Sequence, residues 1–93
     1  MKEERKRLIL EDPHCNKIIK AVLTNPYIER HSLAEMTGLS KADFDEALKK
    51  LQKLMLVFEL ASQADSSVES RVPKKIYLLN PDLETEVKEL LQR

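Results

Sequence analysis

Residues 32–56 read SLAEMTGLSKADFDEALKKLQKLML, and this stretch decides the fold of the chain. Ser32 followed three residues later by Glu35 is typical of a capping box, so we expect a short helix to begin at Ser32. Gly38, the only glycine in the sequence, follows this helix and suits a left-handed C-terminal position. Ser40 then predicts the N-cap of a second helix. The stretch therefore predicts two helices joined by a tight turn.

The second helix has one apolar face. Its apolar residues recur at i, i+3, i+4 and i+7 spacing, which places them on one side: Phe44, Ala47, Leu48, Leu51, Leu54 and Met55. The first helix is shorter, and its apolar positions are Leu33, Ala34 and Met36. Two helices joined in this way, the second longer than the first, form a helix-turn-helix.

The sequence before this unit predicts an arm, a helix and a brief strand. Residues 1–11 are charged at first and apolar at the end. They form either a partly helical arm packed on the body or a basic arm that contacts nucleic acid or a partner subunit. Asp12 before Pro13 predicts the start of a helix that runs to about Leu23. Residues 27–29 are rich in strand formers and predict a short strand.

The sequence after the helix-turn-helix predicts a hairpin and a final helix. Residues 56–79 hold two apolar strands separated by a polar loop, ASQADSSVES at 61–70, which we expect to be mobile. Residues 81–92 predict a helix with an apolar stripe. This stripe packs either on the first helix of its own chain or on a partner's copy, and its members are Leu83, Val87, Leu90 and Leu91.

Composition indicates one soluble domain, 1–93. The 93 residues are 42% apolar and 34% charged, and no apolar run approaches the ~20 residues needed to span a bilayer. The N-terminus lacks the apolar core of a signal peptide, so we expect a cytoplasmic protein. Cys15 is the single cysteine and excludes an internal disulfide. The 16 basic and 16 acidic residues cancel, which argues against a partner held mainly by bulk charge.

At LAEMTGLSKADFDEALKKLQKLMLV, residues 33–57, the chain resembles the winged helix-turn-helix superfamily of transcription regulators. With the flanking elements the resemblance covers nearly the whole chain. It implies an α+β fold of order α-β-α-α-β-β-α, with a three-helix core, a β-hairpin wing and a C-terminal helix. Met55 stands where these domains usually have a glycine before the wing, so either the helix runs on through Met55 or the turn is made differently.

The resemblance implies sequence-specific binding of duplex DNA by a small regulator, dimeric through its terminal helices. The second helix would enter the major groove while the wing lies on the backbone. The expected DNA-contacting residues are the outer face of this helix and the wing base: Ser40, Lys41, Ala42, Asp45, Glu46, Lys49, Lys50, Lys53, Arg71, Lys74 and Lys75. The lysines of the helix also fit a solvated face paired with Glu46.

A second interpretation is a protein-interaction module within a larger complex. Asp45 and Glu46 lie where phosphates would repel them, although a carboxylate can accept a hydrogen bond from cytosine N4. A continuous basic stripe on the helix and wing base would favour DNA, whereas an acidic break through these two residues would favour protein. A small effector bound between helices also stays open.

The sequence offers no catalytic constellation, cofactor motif or zinc motif, so we do not expect an enzyme. His14 and Cys15 are adjacent and point about 100° apart on a helix, which disfavours a shared metal. His31 precedes the expected helix cap. We expect Cys15 to be a small core residue rather than a redox sensor.

Overall fold

The computed structural model describes residues 1–62 and 74–92. Residues 63–73, which include most of the expected loop and Arg71, lie outside this part of the chain. The described elements are the helices α1 (Glu3–Glu11), α2 (Pro13–Thr24), α3 (Arg30–Thr37), α4 (Lys41–Lys53) and α5 (Glu84–Leu91), and the strands β1 (Ile28–Glu29), β2 (Val57–Ser62) and β3 (Lys74–Leu79). A 3₁₀ turn, Pro81–Leu83, precedes α5. No helix among the described residues is long and apolar enough to cross a membrane.

Helix α2 begins as the sequence predicts. The Asp12 carboxylate accepts hydrogen bonds from the backbone N–H groups of His14 and Cys15, both at 3.1 Å, and Pro13 occupies the first turn. These bonds satisfy backbone N–H groups of the first turn, which have no carbonyl acceptor within the helix. The inward face of the helix is buried at Cys15, Ile18, Ile19 and Val22.

Helix α3 begins at Arg30, so the expected capping box at Ser32 is wrong. The N-cap is Glu29, which forms no side-chain cap hydrogen bond. Glu29 is also the last residue of β1 and pairs with Ile76 of β3. Because α3 begins directly after the paired strand β1, Ser32 lies inside the first turn of the helix and not at its cap. The other end is confirmed: Gly38 has φ 65° and ψ 17°, and its N–H donates to Ala34 and Glu35.

Helix α4 begins at the predicted cap, because the Ser40 hydroxyl accepts from the backbone N–H of Asp43 at 3.2 Å. Its inward face is buried at Phe44, Ala47, Leu48 and Leu51. The helix ends at Lys53, and Met55 takes a left-handed conformation with φ 59°. The helix therefore does not run on through Met55, which takes the left-handed conformation that glycine usually supplies at this turn. The prediction that Met55 lies on the buried face is wrong, since it is 55% exposed.

The three strands form one antiparallel sheet of order β1-β3-β2. The register pairs Val57 with Leu79 and Glu59 with Tyr77, which confirms the hairpin after α4. Strand β1 pairs with the other side of β3, Ile28 opposite Tyr77. Tyr77 therefore lies in the central strand β3, with β1, which leads into the helix-turn-helix, on one side and the other wing strand, β2, on the other.

The two terminal helices pack together within the chain. The apolar stripe of the C-terminal segment is buried at Leu83, Val87 and Leu90, and α5 contacts α1. The expected arm contains helix α1, whose Ile9 is buried, so its apolar end packs on the body. Contact of the arm with nucleic acid or a partner subunit stays a prediction. Arg5 Nε donates to the Leu54 carbonyl at 2.9 Å and ties this helix to the end of α4. Among the described elements, α1 is thus one helix more than the predicted order contains.

Candidate nucleic-acid interface

A groove separates the starts of α3 and α4 from the base of the wing. Four residues expected at the DNA interface line it: Lys41, Asp45, Lys74 and Lys75. Its volume of about 620 Å³ lies within the ~300–1,000 Å³ of ligand pockets. The folded chain therefore brings the start of α4 and the wing base to one concave surface.

Arg30 and His31 also line this groove. Neither residue was predicted from the sequence, because both precede the helix start that was expected at Ser32. His31 Nε2 lies 3.0 Å from the Glu35 carboxylate at an exposed position. The floor is apolar and consists of Ala34, Leu39 and Phe44.

Arg30 contacts three residues from two elements beside its own. Its guanidinium donates to the Tyr77 hydroxyl at 2.9 Å and to the Asp45 carboxylate, and it lies 5.3 Å from the centre of the Phe44 ring. Burial acts to lower the pKa of Arg30, but the hydrogen bond with Tyr77 and the charges of Asp45 and Glu59 outweigh it and raise the pKa. The guanidinium therefore stays charged and offsets Asp45.

Tyr77 extends this set of contacts into the wing. Its hydroxyl donates to the Glu59 carboxylate at 2.7 Å, while its ring is fully buried. Burial, followed by the hydrogen bond with Glu59, raises the pKa of Tyr77 to about 12, so the hydroxyl is a neutral donor at physiological pH. We call Asp45, Arg30, Tyr77 and Glu59 the Arg30 network.

Lys50 is held by acidic neighbours. Its ammonium lies 3.3 Å from the Asp12 carboxylate and 3.7 Å from that of Glu46. The hydrogen bond with Asp12 raises the pKa of Lys50. Burial acts to raise the pKa of Asp12, but the hydrogen bonds from Cys15 N–H and Lys50 outweigh it and lower the pKa. Lys50 is therefore tied to the start of α2.

The remaining basic residues of the interface differ in their partners. Lys74 lies 3.5 Å from Glu29, and Lys75 lies 4.0 Å from Glu59. The described residues place no carboxylate within ion-pair distance of Lys41, Lys49 or Lys53. Exposed ion pairs are weak, so a phosphate can compete for the wing-base lysines.

The surface of α4 is thus neither one basic stripe nor one acidic break. Asp45 is neutralised by Arg30, whereas the exposed Glu46 forms an ion pair with Lys50. Ser40 and Ala42 are exposed at the first turn of α4, where DNA readout in this fold takes place. Arg71 lies outside the described residues, so its position in the interface stays a prediction.

Cys15 is part of the core, as expected. It is fully buried, and its Sγ–H donates to the Ala47 carbonyl at 3.6 Å. Burial raises the pKa of the thiol to about 12, which disfavours the reactive thiolate. Within residues 1–62 and 74–92, no three or more His, Cys, Asp and Glu side chains cluster in a way that could hold a metal ion.

The chain matches no protein-family model and no curated protein. Three solved structures are similar to it in fold. The PcaV transcriptional regulator from Streptomyces coelicolor, crystallised in complex with its natural ligand, has a TM-score of 0.69 and 14% identity over 98% of this chain. The transcriptional regulator homologue protein from Pyrococcus horikoshii OT3 has a TM-score of 0.70 and 18% identity over 98% of the chain. The circadian clock associated protein Pex from Anabaena has a TM-score of 0.68 and 16% identity over 99% of the chain.

These likenesses confirm the α+β winged helix-turn-helix fold expected from the sequence. The chain spans 64% of the length of PcaV, 89% of the Pyrococcus protein and 90% of Pex. At such identities the comparison concerns the fold, and the function of this chain has to be argued from its own surface.

Proposed function

We propose that this chain is a small transcription regulator, not an enzyme, that binds duplex DNA in a sequence-specific manner. Helix α4 enters the major groove, and the wing base lies on the flanking backbone. One observation carries the proposal: the groove unites Lys41, at the start of α4, with Lys74 and Lys75 of the wing. The transcriptional regulators that share the fold support the same role.

The charges of the groove favour an anionic partner. Arg30, Lys41, Lys74 and Lys75 contribute four positive charges, whereas Glu29 and Asp45 contribute two negative ones. Both carboxylates are already paired, Glu29 with Lys74 and Asp45 with Arg30. A chain of zero net charge can therefore still present a locally positive surface to phosphates.

A salt titration tests the proposal. Binding to a fluorescent duplex of mixed sequence is followed by anisotropy between low and physiological salt. We expect a log–log slope of several units, which falls by about one for Lys41→Gln and by about one for Lys74→Gln. Lys88→Gln is the matched control, since Lys88 lies on α5 and pairs with Glu84 at 3.4 Å. Absence of binding at low salt would contradict the proposal.

The alternative is a protein-interaction module, and the ion pairs of the interface favour it. Lys50, Lys74 and Lys75 each have a carboxylate within 4.0 Å, and Glu46 is exposed on the outer face of α4. In that case the mixed-charge face of α4 docks on a partner protein. A chain that binds no duplex at low salt but captures a partner through α4, and loses it on Glu46→Lys, would establish this function.

We further propose that the regulator is cytoplasmic and acts as a homodimer. Two copies present two α4 helices, which can contact half-sites about one DNA turn apart. The apolar stripe of the C-terminal helix is already covered by its own chain at Leu83, Val87 and Leu90. A dimer through the terminal helices therefore has to use exposed residues of those helices, such as Leu10 of α1, which is 53% exposed.

A further inference from the structure

We propose that Arg30 is a positioning residue of the DNA interface, which fixes α4 against the wing. This inference rests on the proposed function and deepens it. Arg30 itself need not contact DNA in order to act. Its effect is to hold Lys41 on one side of the groove and the wing-base lysines on the other, so that both sides meet the same duplex.

The contacts of Arg30 reach every element that has to be aligned. Arg30 is the first residue of α3, and its two terminal nitrogens donate in different directions. One reaches Asp45 of α4, and the other reaches Tyr77 of β3 at 2.9 Å. The Tyr77 hydroxyl in turn donates a hydrogen bond to the Glu59 carboxylate of β2 at 2.7 Å. One side chain thus links α4 to both strands of the wing.

The hydrogen-bonding capacities of the four groups match. A tyrosine hydroxyl has one hydrogen to donate and can also accept. Tyr77 donates to Glu59 and accepts from Arg30, so its polar group is satisfied although the ring is buried. The planar guanidinium serves two acceptors at fixed angles, which a lysine ammonium on a flexible stem does not reproduce. Stacking of the guanidinium on Phe44 adds a third constraint.

The wing lysines depend on this arrangement through their own partners. Lys75 lies 4.0 Å from Glu59, and Lys74 lies 3.5 Å from Glu29, the residue before Arg30. Loss of the Arg30 contacts would allow the wing to move relative to α4. The lysines of the two sides would then no longer reach phosphates of one duplex together. A role limited to charge, in which Arg30 only offsets Asp45, makes a different prediction.

Arg30→Lys distinguishes a positioning role from a charge role. Lysine keeps the positive charge but lacks the planar guanidinium that serves two acceptors at fixed angles. We expect the affinity for the mixed-sequence duplex to fall about tenfold and the salt slope to fall by about one, since displaced wing lysines lose phosphate contacts. Arg7→Lys is the control; Arg7 is an exposed residue of α1 whose only ion pair in the described chain, to Glu3, is 3.9 Å long. Unchanged affinity and slope in Arg30→Lys would overturn the inference.

A double variant tests the charge account directly. Arg30→Met with Asp45→Asn removes one positive and one negative charge, so the local net charge equals that of the wild type. If Arg30 acts by charge alone, this variant binds DNA as the wild type does, and the inference is overturned. Positioning predicts that it binds about as weakly as Arg30→Lys.

A measurement without DNA distinguishes failure of the inference from failure of the proposed function. Unfolding midpoints are compared for three variants: Asp45→Asn, Tyr77→Phe, and the double variant that combines these two substitutions. Coupling through Arg30 predicts that the midpoint shift of the double variant is smaller than the sum of the single shifts, and that the shifts become additive in Arg30→Lys. Additive shifts in the wild-type background would overturn the coupling. If the wild type binds no duplex, the regulator proposal fails, and these midpoints alone decide whether Arg30 aligns α4 with the wing.

Discussion

Met55 holds a left-handed backbone conformation at the turn between α4 and the wing, where glycine is the usual residue. Its φ is 59°, a region that costs an L-residue about 1–2 kcal/mol. Two hydrogen bonds retain the turn: Leu56 N–H donates to the Leu51 carbonyl at 2.9 Å, and Asn80 Nδ2 donates to the Met55 carbonyl at 2.8 Å. The position is therefore set by its neighbours against the local preference of methionine.

Met55→Gly is expected to stabilise the fold. Glycine removes the left-handed strain, and the side chain that is lost is 55% exposed, so only part of its apolar surface is given up. The greater freedom of glycine in the unfolded chain costs about 0.5–1 kcal/mol, so we expect a net gain of up to about 1 kcal/mol. Urea unfolding measures it. Lys49→Gly, at an exposed position within α4, is the control and should destabilise by about 1 kcal/mol. Destabilisation by Met55→Gly would show that the side chain matters more than the backbone.

Asp12 should make stability depend on pH. Because its pKa in the folded chain lies below the ordinary 3.8, its contribution is present above that value and is lost as the pH falls through the folded pKa. Asp12→Ala should cost about 1 kcal/mol at pH 7, since two N-terminal N–H groups of α2 lose their acceptor. The difference from wild type should shrink below pH 3.8, which urea midpoints at pH 7 and pH 3 would measure. Asp12→Asn, which keeps a cap, should lose less; an equal loss would refute the cap as the cause.

At the scale of elements, the sequence was sufficient wherever the cause was local. The caps at Asp12 and Ser40 act within three residues of themselves, and both were predicted. Gly38 ended α3 as expected. The start of α3 was not predictable in this way, because it depends on a strand pairing between Glu29 and Ile76, far apart in the sequence.

The candidate interface was predictable only in outline. Helical periodicity was enough to name the outer face of α4, but not to separate Lys50, which Asp12 holds, from Lys49, which has no acidic partner in the described chain. Arg30 was missed because its role arises from contacts with residues 15 and 47 positions away. No local pattern in the sequence predicts contacts between residues so far apart along the chain.

The two adjacent lysines of α4 should differ in DNA binding. Lys49→Gln is expected to lower the salt slope by about one unit if Lys49 contacts a phosphate. Lys50→Gln is expected to lower it less, because the Lys50 ammonium already has Asp12 at 3.3 Å and Glu46 at 3.7 Å. Both variants change one exposed charge of one helix, so each is the control for the other. Equal slopes would mean that Lys50 leaves Asp12 when DNA binds.

At the scale of the whole molecule, the terminal helices have two sides with different roles. The inner side closes the core, where Ile9 of α1 and Val87 of α5 are buried. The outer side of α1 exposes Leu10, which the core does not use. In the proposed homodimer a second copy has to be contacted, and Leu10 is the large apolar side chain that the described terminal helices expose for it.

Leu10→Ser is therefore expected to weaken a homodimer without weakening the fold. The side chain is 53% exposed in the chain, so its removal should change the free energy of unfolding by less than about 0.5 kcal/mol. Sedimentation velocity over a range of micromolar concentrations should show the wild type as a dimer and the variant shifted towards monomer. Tyr27→Ser is the matched control, because Tyr27 is 57% exposed and lies in the turn before β1, outside α1. A shift in the control alone would place the dimer contact at that turn. If the wild type is a monomer throughout, the proposed regulator should bind DNA as a single copy, and the duplex that it prefers should contain one half-site instead of a palindrome.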